Sequence, residues 1–579
     1  MKIVDVLFPL ALPFHPSYRV VGDDENNLKV GSFVRAPIGN RTYLGVVTKV
    51  YSDNSQNLNK PIHTAGSLKF ITSLETQLLP VDPKRIELWR WISEYYLCTM
   101  GEVMKTAIIS KPIHSAIQGT DNSVPERTKK MEMKGVTLIK GGYARMNAYL
   151  TLCQEALSSG YHVLFLTPEI GYVDQLFHIL KGALQQPVFL LHSNLTPVQK
   201  ANTIQSIWEQ KGPLVVIGMR TSLLLVDLQN FGLIIVDEEH DYSYKQIDPA
   251  PRFHARDVAL FIGKLYQIDV VLGSSCPSLE SQYNVAIGKY KAFNLEQPKH
   301  SIQLLPTIEV IDTLRLQKKR CMIDSLSTPF LKALEHCLVQ QQQTLLFTHR
   351  CAQIEAELHA IMPHLRIARL DEAHSLFALQ LILARFHNRE IDVLISIQSL
   401  YKNIISNNLG IVAFFDPDKQ LSRSDFRAHE RTFQIVSTIH DYFSPPRIIL
   451  QTKQPELPFY KYLQSYNYKA FIENQLRERK EFHYPPFVRL IAIRCKHSHL
   501  EIAQEAAQQC KEELLSLGIS NITGPFSPYQ PHPAKFQLQL LWIHLPRNQD
   551  IAPIKKTMYQ KVSSLKLPKG RIQIDVDPY

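Results

Sequence analysis

Four polar residues close an apolar stretch near the middle of the chain. The stretch FGLIIVDEEH covers residues 231–240, and its last four residues are Asp237, Glu238, Glu239 and His240. A buried strand of this kind delivers its final side chains to the carboxyl edge of a parallel sheet, where ligands bind in open α/β folds. In nucleotide-hydrolysing motors the first acid holds Mg²⁺ through water, and the next one polarises the attacking water. We therefore predict a catalytic acidic box, although apolar strands that end in acids also occur without this chemistry.

The residues around the box alternate between apolar strands and stretches with helical periodicity. This alternation covers residues 136–300 and is typical of a mostly parallel sheet with helices on its faces. A similar run extends over residues 301–455. We therefore predict two consecutive α/β lobes.

The two ends of the chain have different patterns. In residues 1–108 the segment KVGSFVRAPIGNRTYLGVVTKVY alternates and is punctuated by glycines, which predicts strands and turns before a helix. Residues 109–135 are polar and lack periodicity, so we interpret them as a linker. Residues 456–579 contain helices and then strands. The predicted fold class is α/β, with a β-rich N-terminal domain and an α+β C-terminal domain.

Composition indicates a globular chain with a polyanionic partner. The 579 residues include 64 Lys and Arg against 53 Asp and Glu, a formal net charge of +11. Such an excess suits nucleic acid, the commonest polyanion, and fits an ordinary basic protein about equally well. No apolar run approaches the roughly 20 residues of a membrane helix, and the first residues do not resemble a signal peptide. We therefore expect no membrane association.

The cysteines do not form a metal-binding or disulfide pattern. None of the eight belongs to a C-x-x-C pair. This spacing argues against a zinc module and against a disulfide framework, and it favours a reducing compartment.

Several further segments occur in an order that is specific to one family. A small-residue segment, GSSCPSLES, follows a strand at residues 273–281, and VVIGMRTSLL precedes the acidic box at residues 215–224. Other distinctive segments are TPEIG, VDEEHDYSYKQ, RFHARDVA, SDFRAHER, QLRERKEFHYPPF and the closing DVDP. Together they resemble the PriA family of primosomal replication restart helicases. The resemblance implies two RecA-like superfamily 2 helicase lobes behind a 3′-DNA-end-binding domain.

The family's phosphate loop is altered in this chain. The family pattern G-x-x-x-x-G-K-[ST] aligns with IKGGYARMNAYL, residues 139–150, and its defining positions hold Ile139, Ala144, Arg145 and Met146. Side chains obstruct a loop that must cradle phosphates with backbone N–H groups, and methionine lacks the hydroxyl that ligates Mg²⁺. Gly141, Gly142 and Arg145 remain as candidate nucleotide-binding residues, because the two glycines could form a relocated turn.

Other family features are also missing. The Q-x-x-G-R-x-G-R box, whose arginines reach the γ-phosphate in the family, is replaced by FQIVSTIHDYFSPPR at residues 433–447. A second motif survives only as Gln398 and Lys402. The family's zinc module and winged-helix domain have no counterpart. We therefore expect no zinc, and ATP with Mg²⁺ at Asp237 only if a nucleotide binds at all.

The resemblance also indicates DNA-binding candidates. In the N-terminal domain they are Tyr18, Arg35, Arg41 and Tyr43, which offer rings for base stacking and cations for phosphates. In the first lobe they are Arg220, Thr221, Lys245 and Arg256, with His254 beside them. Ordinary strand residues and a solvated basic surface explain most of these positions equally well. We interpret Arg477, Arg479 and Lys480 as a charged helix face.

Three functions remain open from the sequence. We favour a DNA-binding protein of replication restart or repair, with weak or lost ATPase activity. It would bind forked, single-stranded or 3′-end DNA, with primosome proteins and single-strand-binding protein as partners, in the cytoplasm at the bacterial nucleoid. The alternatives are an active ATP-dependent 3′→5′ helicase and a scaffold that binds only proteins.

Overall fold

The chain folds into two units that are not contiguous in sequence. The first contains Met1–Thr137, Tyr149–Leu272 and Phe487–Tyr579, and the second contains Leu138–Ala148 and Gly273–Pro486. The structure is a computed structural model and describes residues 2–20, 24–52, 68–108, 135–142, 144–168, 170–295, 307–371, 375–397, 404, 406, 408–421, 425–528, 536–547 and 550–579. Nearly all of the predicted linker lies outside the described residues, as do Gln398 and Lys402.

The N-terminal part of the first unit is an antiparallel sheet followed by two helices. The sheet order is β2-β1-β4-β3-β5. Its core consists of alternate residues such as Val4, Val6 and Val34, as expected for strands with one buried face. The elements are β1 (Lys2–Leu7), β2 (Ser17–Val20), α1 (Asp24–Asn27), β3 (Phe33–Ile38), β4 (Arg41–Ser52), β5 (Ser73–Leu74), α2 (Pro83–Tyr96) and α3 (Met100–Ala107).

A seven-stranded sheet follows in the order β12-β6-β11-β10-β7-β9-β8. Every residue of its central strands β10 and β7 is buried, because helices cover both faces of a parallel sheet. The boundary between the two units falls within β6 and β11. The strands are β6 (Val136–Lys140), β7 (His162–Leu166), β8 (Val188–Leu191), β9 (Val215–Gly218), β10 (Phe231–Asp237), β11 (Asp269–Ser274) and β12 (Lys291–Asn294). The helices are α4 (Arg145–Ser158), α5 (Ile170–Ala183), α6 (Pro197–Glu209), α7 (Ser222–Leu225), α8 (Ala255–Tyr266) and α9 (Leu279–Ala286).

The second unit is built on a parallel sheet with the order β13-β20-β19-β16-β18-β17. Leu345 and Phe347 of β16 belong to one apolar cluster and Leu346 belongs to another, so the sheet has a core on each face. The strands are β13 (Thr307–Asp312), β14 (Met322–Ile323), β15 (Leu326–Ser327), β16 (Gln343–Phe347), β17 (Ile367–Leu370), β18 (Val393–Ser396), β19 (Leu409–Phe415) and β20 (Arg447–Thr452). The helices are α10 (Thr313–Lys318), α11 (Thr328–Val339), α12 (Cys351–Ile361), α13 (Leu376–His387), α14 (Asp418–Leu421), α15 (Ala428–Phe443), α16 (Pro458–Gln464) and α17 (Tyr468–Glu481).

The C-terminal part of the first unit is an antiparallel sheet of order β22-β23-β21-β24. Its elements are β21 (Val488–His497), α18 (Leu500–Ser516), β22 (Ile522–Phe526), β23 (Gln537–Pro546), α19 (Ala552–Ser564) and β24 (Arg571–Val576). The predicted α/β fold class, with a β-rich N-terminal domain and an α+β C-terminal domain, is therefore confirmed. Among the described residues, every helix is too short or too polar to span a bilayer.

Gly31 is expected to be essential for the N-terminal sheet. Its φ is +94°, and an added methyl group would lie 2.1 Å from the carbonyl oxygen of Val81. We expect Gly31→Ala to destabilise this domain by about 2–4 kcal/mol, because the clash adds to the cost of a left-handed backbone. The matched change Gly39→Ala meets no atom within 4 Å at a φ of +59°, so it should cost only about 1 kcal/mol. Hydrogen exchange of the backbone amides of β3 and β4 is measured in both variants. Equal protection of these amides in the two variants would contradict the structural role of Gly31.

Candidate functional site

The acidic box lies at the carboxyl end of β10, where its side chains are buried. Asp237 is the last residue of the strand and is fully buried. The hydroxyl of Tyr149 on α4 donates to Asp237 Oδ1 at 2.8 Å, and the hydroxyl of Tyr244 donates to the Asp237 backbone carbonyl at 2.6 Å. Burial, together with the Asp237 charge, raises the pKa of Tyr244 well above its usual range, so this phenol remains a donor. One of the two carboxylate oxygens of Asp237 therefore already accepts a hydrogen bond from a tyrosine.

The other members of the box also make internal contacts. Arg256 Nη1 lies 3.0 Å from Glu239 Oε2, and both side chains are buried. His240 Nδ1 lies 3.4 Å from Glu238 Oε2, and the hydroxyl of Tyr579 donates to the His240 carbonyl at 3.2 Å. Arg256, a DNA-binding candidate, thus neutralises a buried acid of the box in this structure.

The loop between β6 and α4 folds back on itself. The N–H of Gly141 donates to the Ser274 carbonyl at 3.0 Å. The Arg145 guanidinium donates through Nη1 to the Gly141 carbonyl at 2.9 Å, and its side chain is buried. The cation that replaces the family lysine is therefore directed at its own loop. Met146, which stands where the family has a hydroxyl, is also buried.

An acidic side chain packs against this loop. A methyl group added to Gly142 would lie only 2.8 Å from Oδ1 of Asp441 on α15. Asp441 lies in the segment that aligns with the family's arginine box, so an acid stands in a region where the family supplies cations. Its own neighbour His440 has Nδ1 at 3.6 Å from Asp441 Oδ1. The loop is therefore lined by a carboxylate, which disfavours the phosphates of a nucleoside triphosphate at this place.

Three of the family-like segments form a buried ion-pair network in the second unit. Arg427 Nη1 lies 2.7 Å from Glu280 Oε1, and Arg479 lies 3.3 Å from Glu280 and 2.5 Å from Glu430. The N–H of Leu279 also donates to Glu430 at 2.8 Å. This quartet of Glu280, Arg427, Glu430 and Arg479 connects α9, α15 and α17. The prediction that Arg479 lies on a charged helix face is wrong, because only 2% of its side chain is exposed.

The N-terminal candidates divide into buried and accessible residues. The Tyr18 side chain is buried against Phe8, and its hydroxyl donates to the Pro37 carbonyl at 2.9 Å. Its ring therefore cannot stack on a base in this conformation. Arg35 pairs with Glu75 at 2.8 Å, with 41% of its side chain exposed. Arg41 is exposed and Tyr43 is half-buried, so these two remain accessible to a ligand.

The first-lobe candidates are largely occupied by internal contacts. Arg220 Nη1 donates to the Ser243 carbonyl at 2.8 Å, and Thr221 precedes α7 with its side chain partly exposed. Lys245 is buried, and its Nζ lies 2.8 Å from Asp575 Oδ1. The same ammonium donates to the Val576 carbonyl at 2.7 Å. In this structure Lys245 therefore holds β24 against the segment that follows the acidic box.

Some contacts of the site were not predicted. The hydrogen bond from Tyr149 to Asp237 and the pairing of Arg427 and Glu430 with their partners have no local sequence signal, because most of these partners lie far away in the chain. Asp441 did carry a signal, since an acid stands within the segment that aligns with the arginine box. Within the described part of the chain, no group of three or more His, Cys, Asp and Glu side chains could hold a metal ion. The expectation about zinc stays a prediction.

Comparisons with known proteins find similarity to PriA proteins at both ends of the chain and over its full length. Residues 5–109 match the family model of the PriA 3′DNA-binding domain, and residues 480–579 match that of the primosomal protein N C-terminal domain. The chain is 27% identical to the replication restart protein PriA of Rickettsia conorii over 675 residues, covering 100% of this chain and 99% of that protein. It is 28% identical to the PriA protein of Chlamydia pneumoniae, covering 76% of this chain and 67% of that protein.

Comparison with solved structures finds partial similarity to a DNA complex and to a helicase domain. The match to RecG bound to a three-way DNA junction covers 83% of this chain and 74% of the RecG chain, with a TM-score of 0.42 and 11% sequence identity. The match to the helicase domain of Pyrococcus furiosus Hef covers 55% of this chain and 92% of the Hef chain, with a TM-score of 0.34 and 12% sequence identity.

The quartet predicts a large difference between two neighbouring arginines of α17. Arg479→Ala leaves two buried glutamates to share Arg427, so we expect a loss of about 3–5 kcal/mol. Arg477→Ala removes an exposed side chain of the same helix and should change stability by less than about 0.5 kcal/mol. Thermal unfolding compares the two variants, with an expected shift of several degrees for Arg479→Ala alone. Similar midpoints for both variants would show that the quartet is not structural.

Proposed function

This chain belongs to the PriA family, and we propose that it acts in replication restart as a DNA-binding protein without efficient ATP turnover. The match of residues 5–109 to a 3′DNA-binding domain supports DNA as the partner. Full-length similarity to replication restart proteins supports the process in which it acts. Recognition of the DNA structure, rather than directed unwinding, is then the activity of the chain.

The contact between Asp441 and Gly142 carries the proposal about ATP. A phosphate cradled by this loop would lie close to the Asp441 carboxylate, whose Oδ1 is 2.8 Å from the Gly142 methyl position. Two like unit charges about 4 Å apart repel by about 4 kcal/mol at an effective dielectric constant of about 20. In an active motor the same region supplies arginines, which attract the γ-phosphate. The sign of the electrostatic interaction is thus reversed.

Two other contacts support the same conclusion independently. The Arg145 guanidinium donates to the Gly141 carbonyl, so the loop satisfies its own polar group rather than that of a ligand. The Tyr149 hydroxyl donates to Asp237, the acid that would hold Mg²⁺ through water in a motor. Rebuilding a phosphate site at this loop would therefore require changes at Arg145 and at Asp441 together.

We propose further properties from the resemblance alone. The preferred DNA would be forked, single-stranded or 3′-ended, and single-strand-binding protein and primosome proteins would be partners. Neither zinc nor a bound nucleotide would be required. The bacterial nucleoid would be the place of action, because that is where replication forks are restarted.

An active helicase is the second candidate, and one observation favours it. Asp237 still stands at the end of β10, at the carboxyl edge of the sheet, with Glu238 directly after it. An acid at this place is what a nucleotide-hydrolysing site requires. A direct measurement of turnover separates the two candidates.

We expect the purified chain to bind forked DNA and to hydrolyse ATP no faster than an Asp237→Asn, Glu238→Gln variant. The physical reason is the altered loop, whose Arg145 is directed at Gly141 and which faces the Asp441 carboxylate. Phosphate release with and without forked DNA, and fork binding by fluorescence anisotropy, are measured on the same samples. Fork binding by the variant verifies that it is folded. DNA-stimulated hydrolysis that disappears in the variant would restore the helicase.

A further inference from the structure

Cations from three segments of the first unit gather on one face of the C-terminal sheet. Lys496 of β21 lies directly opposite Arg571 of β24 in the antiparallel register. Arg494 is two residues from Lys496, so its side chain leaves the same face of the sheet. The loop that follows the acidic box contributes the rest. We call this group the cationic cluster, and its members are Lys245, Arg252, Arg494, Lys496 and Arg571.

Two carboxylates lie within the cluster and are each shared by two cations. Asp575 Oδ1 lies 2.8 Å from Lys245, and its Oδ2 lies 2.7 Å from Arg494. Asp248 lies 3.2 Å from Arg252 and 3.3 Å from Arg571. Five cations with two carboxylates leave three positive charges in excess. Like charges directly opposite each other in a sheet are destabilising, so Lys496 and Arg571 come at a cost to the fold.

The excess charge is evident at individual groups. Burial lowers the pKa of Lys496, and Arg494, Arg571 and Arg252 lower it further against the opposing effect of Asp248. Arg252 is buried, and in the part of the chain that the structure describes its Nε makes no hydrogen bond. The cluster reaches solvent, because 54% of the Arg571 side chain is exposed. A ligand that brings negative charge from solution would therefore stabilise this face.

We propose that the cationic cluster binds phosphates of a nucleic-acid backbone. Guanidinium forks and ammonium groups are the side chains that contact phosphate oxygens in protein–DNA complexes. An excess of three charges suits two or three successive phosphates. The open position of Arg571 suits a polymer that passes across the sheet. This inference rests on the proposed DNA binding and names a place where the backbone contacts the chain.

The position of the cluster gives this contact a structural consequence. Lys245, Asp248 and Arg252 follow the acidic box, whereas Arg494, Lys496 and Arg571 belong to the C-terminal sheet. A phosphate that bridges Arg252 and Lys496 would hold these two parts of the first unit together. The chain would thus bind DNA with its C-terminal sheet and its first α/β region at once.

Neutralising two members of the cluster tests the proposal. We expect the double variant Lys496→Gln, Arg571→Gln to bind fluorescein-labelled forked DNA and single-stranded DNA several-fold more weakly than the unmodified chain at about 0.1 M salt. The slope of log K against log salt should fall by about 0.9 for each phosphate that the variant no longer neutralises on duplex DNA, and by about 0.7 on a single strand. Fluorescence anisotropy at several salt concentrations measures both quantities.

A matched variant removes the same charge from the other side of the sheet. Lys556 and Lys561 lie on α19, and Lys561 pairs with Glu513 of α18. Cys510 of α18 contacts Cys495, whose side chain points away from the face of Lys496. Lys556→Gln, Lys561→Gln should therefore keep the slope of the unmodified chain. Arg571→Lys retains the charge and should keep the slope as well.

The outcomes separate this inference from the proposed function. An unmodified chain that binds DNA, with the same affinity and slope in the Lys496→Gln, Arg571→Gln variant, overturns the inference alone. An unmodified chain that binds no DNA overturns both. Polyglutamate serves as a third probe, and loss of its binding in this variant while DNA binding is unchanged would assign the cluster to an acidic protein instead. Thermal unfolding checks that the variant is folded, since removing opposed like charges should not lower its midpoint.

Discussion

Buried carboxylates must be neutralised or hydrogen-bonded, and this constraint organises both units of the chain. In the first unit Glu239 pairs with Arg256 and Asp575 pairs with Lys245. In the second unit Glu280 and Glu430 share Arg427 and Arg479. The Lys245–Asp575 pair and the pairs of Glu280 join segments that are distant in sequence, so the same contacts that remove the cost of a buried charge also determine which elements pack together. Removing one side chain of such an ion pair would leave the charge of the other buried and unpaired.

This constraint changes the meaning of the family-like segments. Residues such as Arg256, Arg427 and Arg479 belong to segments that resemble a motor, and the structure uses them to neutralise buried acids. Such residues therefore have a packing role that does not depend on a nucleotide cycle. At the loop around Gly142 the sequence differs from the family pattern. The two family models that match the chain cover its two ends, which contain the accessible Arg41 and three members of the cationic cluster, Arg494, Lys496 and Arg571.

Sequence patterns were sufficient for the architecture because hydrophobic periodicity is local. The fully buried strands β7 and β10 were visible as continuous apolar runs, and the N-terminal strands were visible as alternation between glycines. The candidate site was predicted less well. Asp237 was correctly placed at the end of a strand, but the DNA-binding candidates Tyr18 and Lys245 are buried, as is Arg479, which was expected on a charged helix face. The sequence around a cationic residue in a polar stretch shows the same pattern whether that residue faces solvent or pairs with an acid that is distant in the chain.

The sequence by itself therefore determined the fold class, the family and the position of the acidic box, because each depends on residues that are near one another in the chain. Only the tertiary structure decided the electrostatic environment of those residues. It brought Asp441 against Gly142, Tyr149 onto Asp237, and Lys496 opposite Arg571. Coulombic and hydrogen-bonding energies depend on distances in space, and residues separated by tens or hundreds of positions reach those distances only when the chain is folded.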